Sequence, residues 1–229
     1  MEFSGFLPEA LDFLVENRLN NDKGFYDAHK TQYIKQIKEP FYLLAEKMTP
    51  IMEKMDPDFI TDPKRILSRL RRDTRFTKDK SLYRDRVWLA FVRDKKRWSS
   101  SPCCYFEISP EGFAYGVGYY WMPPSQMAIC REMILLEDPI FCKAYRCVQK
   151  NPKFAFSGLE YKRPKCPDAP KKYQTWLNKK ELQLSYDSKD FEQLFSGEFV
   201  DPMLKDLEIM IPFYRFLQEA EVRGKNKLE

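Results

Sequence analysis

Arg69, Arg71, Arg72, Arg75, Lys78, Lys80, Arg84 and Arg86 fall within one stretch of eighteen residues, interleaved with Asp73, Asp79 and Asp85. The stretch carries +5, equal to the formal charge of the whole chain. Arginine offers a planar fork that matches carboxylate or phosphate, and lysine a point charge. Phe76 and Tyr83 add aromatic faces between the cations. Two arrangements fit these residues. In one, Arg69, Arg72, Arg75, Lys78 and Lys80 contact an anionic ligand, Asp73 and Asp79 orient them, and Tyr83 supplies stacking. Tyr115, Tyr119 and Trp121 would then line the ligand from one face of a neighbouring strand. In the other, Arg72, Asp73, Arg75 and Asp79 form a structural ion-pair network and Phe76 plugs the core. Exposed pairs contribute little to stability, so five excess charges in the second arrangement call for a countercharge from elsewhere.

Charge is segregated along the chain. Residues 153–180 hold eight Lys or Arg against Glu160 and Asp168, while residues 181–221 hold ten acidic groups against three basic ones. The acidic segment is the natural candidate to neutralise the run at 69–86.

Catalytic patterns are lacking. His29 is the single histidine, and a triad needs one placed by a carboxylate; Asp27, two residues away on a helix, lies off its face. No G-x-S-x-G or G-x-x-x-x-G-K-[ST] occurs, and Gly116-x-Gly118 runs into Tyr-Tyr-Trp rather than a helix start. Cys103, Cys104, Cys130, Cys142, Cys147 and Cys166 lack C-x-x-C spacing, so reduced thiols are expected, with no zinc site and no cofactor. Asp56-Pro57-Asp58 and Asp187 to Asp190 read as helix-end punctuation. No signal-peptide pattern opens the chain and no apolar run is long enough to span a bilayer, which predicts a soluble cytoplasmic protein.

The elements that position these groups follow from periodicity. The 229 residues, 43% hydrophobic and 15% aromatic, suffice for one domain over 1–229. Apolar residues at helical spacing predict a helix over 7–19 with Pro8 in its first turn. Asn20-Asn21-Asp22 stops it and caps the next, which runs over 24–55 with a break at Pro40. The period then changes. Strands are expected at 65–70, 87–92, 103–109 and 113–121, the last two joined by the turn Ser109-Pro110-Glu111-Gly112. Val87 to Val92 is apolar on both faces and should be central. Gly116 and Gly118 share a face with Ala114 and Tyr120, a place for close packing, by a helix before a ligand. Helices from Pro124 and Pro139, a basic loop over 151–172, a short helix near Trp176, a strand at 182–186 and helices at 188–195 and 199–220 complete the order. The fold class is α+β: an antiparallel four- to five-stranded meander covered by N-terminal and C-terminal helices.

The run Arg69-Leu70-Arg71-Arg72-Asp73-Thr74-Arg75-Phe76-Thr77-Lys78-Asp79-Lys80-Ser81-Leu82-Tyr83-Arg84 resembles the signature of a bacterial and fungal family, domain of unknown function 2461. Asn20 to Tyr33, Gly116 to Tyr120 with Arg131, and Gly158 to Pro164 resemble further segments of it. Phe25-Tyr26 stands where that family has Trp-Phe, and Leu82 where Pro is common. The resemblance implies a soluble cytoplasmic protein and brings no activity with it.

Three functions remain open at this level. The run binds a small phosphorylated or carboxylated metabolite; or it is structural, within a protein-interaction or scaffold domain; or it binds single-stranded nucleic acid, as interleaved aromatics and cations do. Against the last stand the absence of an RRM signature and a pI of 8.7.

Overall fold

The computed structural model describes residues 2–75 and 78–226. Helix α1 (Pro8–Asn20) starts on a proline and ends where Asn21 takes up left-handed backbone at φ 50°, a conformation asparagine tolerates better than most residues. Asp22 then caps α2 (Lys23–Ala28), its side chain accepting from the Phe25 N–H. α3 (Lys30–Tyr33) leads through a π turn at Ile34–Lys38 into α4 (Glu39–Met55). The break expected at Pro40 is therefore absent. Pro40 sits in the first turn of α4, where a missing N–H costs little, and the chain instead interrupts at His29.

The expected strand at 65–70 is also replaced. Asp62 accepts from the Lys64 N–H and Pro63 opens a single helical turn, α5 (Pro63–Ile66). The residues after it run beside β1 (Val87–Phe91) through one isolated bridge, Leu67 to Leu89, and the Ser68–Trp88 bonds.

β1 pairs antiparallel with β2 (Cys103–Ser109), and β2 with β3 (Gly112–Gly118). Gly112 closes that hairpin at φ 140°, where a Cβ would lie 2.1 Å from the Ser188 carbonyl oxygen, so no other residue fits. α6 (Pro124–Leu135) and α7 (Pro139–Lys150) follow as expected. The basic loop then contributes an unforeseen short strand, β4 (Ala155–Ser157), followed by α8 (Gln174–Leu177), β5 (Gln183–Ser188), α9 (Phe191–Ser196) and α10 (Val200–Asn226). The five-stranded antiparallel sheet has the order β1-β2-β3-β5-β4, so the fold is α+β with β1 at an edge rather than at the centre. Its apolarity reflects what covers the edge: the 67–72 segment and Ile60, whose N–H donates to Val92. Shielding of this kind removes an open ladder.

One face of the sheet carries Val87, Leu89, Phe91, Cys104, Phe106, Phe113, Tyr115 and Val117, all buried. Its ring contacts run to Phe6 and Phe41 of the N-terminal part and to Phe199 at the entry to α10. A second aromatic cluster joins Phe141 of α7 to Tyr173, Trp176 and Phe216. The alternate face presents Trp88, Ala90, Tyr105, Glu107 and Ala114, only half-buried. Gly116 belongs to this second face. No helix explains it: a Cβ there would meet the Leu184 carbonyl oxygen at 2.4 Å and Ser185 Cα at 2.9 Å, both in the adjacent strand. β3 ends at Gly118, three residues short of the expected Trp121.

Candidate functional site

The run 69–86 folds back on itself as an irregular hairpin beside β1. The Arg72 N–H donates to Leu82, the Arg84 N–H donates to Leu70, and Arg71 bridges Tyr83. The tip is organised by carboxylates. Asp73 accepts from both the N–H and the guanidinium of Arg75 (2.7 Å to Nη2), and these bonds pull its carboxyl down to about 2. Asp79 accepts from the Ser81 N–H at 2.9 Å, and pairs with Arg72 at 2.8 Å and Arg18 at 3.3 Å. The Ser81 N–H is the main reason its carboxyl lies below the ordinary value, with Arg72 and Arg18 adding to it. Lys80 donates to the Thr74 carbonyl at 2.7 Å. Phe76, expected to plug the core, lies outside the described residues.

The end of α1 holds the other side of this hairpin. The Leu82 N–H donates to Asn21 Oδ1 at 2.6 Å, and Tyr26 stacks on Tyr83 with centroids 5.3 Å apart. The segments around 20–33 and 69–86, distant in sequence, thus meet in space. His29, on the same side, stacks on Phe25 at 4.1 Å, and its Nδ1 lies 2.8 Å from the Phe25 carbonyl oxygen.

The sequence-predicted site residues divide by environment. Arg72, Asp73, Arg75 and Asp79 are drawn together in pairs; Arg69, Arg75, Lys78 and Lys80 are exposed to solvent. Among the described residues, Arg69, Arg71 and Lys78 have no carboxylate partner. Tyr83 is buried, its ring used against Tyr26. Tyr119 is fully buried and its hydroxyl has no partner among the described residues. Both are buried in the core. Two clefts in the described surface lie elsewhere. One of about 320 Å³ is lined by Lys143, Arg146, Cys147, Lys150, Ile209 and Pro212; the other lies near Phe3 and Leu204.

Arg84 links the hairpin to the half-buried face of the sheet. Its Nη1 donates to the carbonyls of Arg69 (2.9 Å) and Arg71 (3.1 Å), and its guanidinium lies 5.1 Å from the centre of the Trp88 ring. Burial and then the Arg72 charge hold it below the usual arginine value, while Tyr120 and Asp73 act in the opposite sense. These groups share one electrostatic neighbourhood. Beyond it Tyr120 packs on Trp98 with centroids at 5.1 Å. Sequence periodicity put Tyr120 on the sheet, and no spacing singled out Trp98.

Three carboxylates of the acidic segment take partners outside the run. Asp206 accepts from Tyr115 and Lys153, Glu208 pairs with Lys54, and Glu221 with Ser101, Arg97 and Lys225. A further buried carboxylate belongs to Asp56-Pro57-Asp58, whose place at the end of α4 is that of helix-end punctuation. Asp56 is fully buried, takes a two-pronged contact from Arg93 (2.7 and 2.9 Å) and accepts from the Tyr214 hydroxyl. Burial alone would raise its carboxyl, but the bonds from Arg93 and Tyr214 outweigh that and leave it below the ordinary value.

Cys103, Cys104, Cys130 and Cys147 are buried; burial pushes Cys103 up to about 12 and Cys147 to about 11, the behaviour of inert thiols. Among the described residues no three His, Cys, Asp or Glu side chains gather as metal ligands, and no helix is long and apolar enough to cross a membrane.

Residues 9–216 match the model of the family described as Conserved hypothetical protein (DUF2461), and the chain belongs to that family. No curated protein matches it.

Proposed function

We propose that this member of the DUF2461 family binds an anionic partner on an open surface formed by the 69–86 hairpin and the aromatic residues next to it. One observation carries the reading. Arg69, Arg71 and Lys78 stand on the hairpin without carboxylate partners among the described residues, and Asp206, Glu208 and Glu221 of the acidic segment pair with groups outside it. Unneutralised cations grouped on one surface attract polyanions and speed their association. The carboxylates of the hairpin have a supporting part: Asp73 and Asp79 hold the loop in shape, leaving the remaining cations to face solvent.

An enclosed metabolite site is the weaker form of this idea. Small-ligand sites bury most of the ligand in a cleft, and neither cleft noted above is lined by a residue of 69–86. An open basic surface fits an extended anion better.

The test is polarisation binding of a labelled inorganic polyphosphate at low and high salt. Wild type should bind at low salt and release steeply as salt rises. A variant with Arg69, Arg71 and Lys78 each changed to Ala should bind at least severalfold more weakly with an unchanged melting temperature. Equal binding by the variant would refute the assignment.

A further inference from the structure

We infer that the anionic partner is a single-stranded nucleic acid, with bases stacked on Tyr120 and Trp98 and phosphates following the cations of the hairpin and of the turn at 95–97. This rests on the anion-binding reading above and adds to it the aromatic half of the surface.

Tyr120 is 69% exposed, Trp121 54% and Trp98 37%. Large apolar side chains scattered singly on a surface are ordinary; here they lie together. Trp98 and Tyr120 touch, and the Trp121 N–H donates to the Ser99 carbonyl at 2.8 Å, tying the strand end to the loop that carries Trp98. The two segments that carry the rings are therefore tied together through backbone.

Cations reach this aromatic platform from two segments. Arg84 lies over Trp88, and Tyr120 is close enough to act on its charge. Next to Trp98 in the chain, the 3-10 turn Lys95–Arg97 is capped by Asp94 and leaves Lys95 and Lys96 exposed, with no carboxylate partner among the described residues. A single strand offers both chemistries at once, a chain of phosphates and a π face on every base. A duplex keeps its bases stacked inside, and an acidic peptide carries charge without rings. The aromatic half of the surface has a use only with the single strand.

The experiment compares a labelled single strand of about 10 nucleotides with an abasic sugar–phosphate strand, a duplex of equal length and a poly-glutamate peptide. Intrinsic tryptophan fluorescence is followed in each titration. The single strand should bind tightest and quench tryptophan emission. The abasic strand should bind about tenfold more weakly without quenching. Tyr120→Ala should bring the single strand down toward the abasic level and leave abasic binding and melting temperature unchanged; Trp98→Phe, which keeps a ring, should retain most of the affinity. Equal affinity for the base-bearing and abasic strands would overturn this inference and leave anion binding standing. Preference for the duplex or for poly-glutamate would overturn it likewise. Failure of every polyanion at low salt would overturn both.

Discussion

Asp79 and Asp56 each gather donors from two parts of the chain, and they differ in solvent. Asp79 joins Arg72 and Arg18 at the tip of an exposed hairpin, its side chain 41% accessible. Asp56 joins Arg93 and Tyr214 between the end of α4, the residues after β1 and the middle of α10, with no accessible surface. Water screens the first arrangement and weakens each pair. In the second the carboxylate itself is shut off from water although Arg93 is part-exposed, and removing a partner leaves that carboxylate under-compensated in the interior. A dense run of charge in sequence therefore marks a surface, while a lone aspartate at a helix end can be what fastens three elements together.

The largest expected effect falls at the quiet site. Asp56→Ala should destabilise the protein by about 3 kcal/mol or more, because it removes charge-assisted bonds to both Arg93 and Tyr214, while Arg93 keeps Asp58; urea unfolding measures it. A change no larger than that of a surface substitution would erase the contrast. Tyr214→Phe removes one hydrogen bond to the same carboxylate and should cost about 1.5–3 kcal/mol in the same assay.

Acid sharpens the comparison. The Asp56 carboxyl is depressed in the folded state by Arg93 and Tyr214 against the effect of burial. Its contribution is thus complete above the unfolded carboxylate value and is lost as pH falls through the lower folded value. Asp56→Asn, less stable at neutral pH, should show a shallower loss of stability on acidification than wild type. Parallel pH profiles would remove Asp56 as a source of acid sensitivity. At the opposite extreme, Arg75→Ala should leave the melting temperature unchanged, because Asp73 and Arg75 meet on the surface.

Much of the frame was legible in the residues. Pro8, the Asn21-Asp22 pair, Asp138-Pro139 and the Pro110-Glu111 turn each act locally, through a fixed φ, a cap or a tight turn, and each stands where local chemistry puts it. What escaped depends on partners far along the chain. Val87 to Phe91 looked central because the 67–72 segment covers its edge. Ala155–Ser157 pairs only because Gln183–Ser185 is there to receive it. Tyr83 packs on Tyr26, a partner that spacing along the chain does not reveal. Within the run, the pairing of Arg75 with Asp73 two residues away was readable. The pairing of Asp79 with Arg18, and of Leu82 with Asn21, was not.

The most direct test combines stability and binding in one pair of proteins. Asp56→Asn and the Arg69/Arg71/Lys78 triple alanine variant should be measured side by side for melting temperature and for polyphosphate affinity at low salt. Opposite profiles are expected: a lower melting temperature with wild-type affinity for Asp56→Asn, and a wild-type melting temperature with weakened affinity for the triple variant. A triple variant that melts early and binds as wild type would contradict it, making the hairpin a structural clamp.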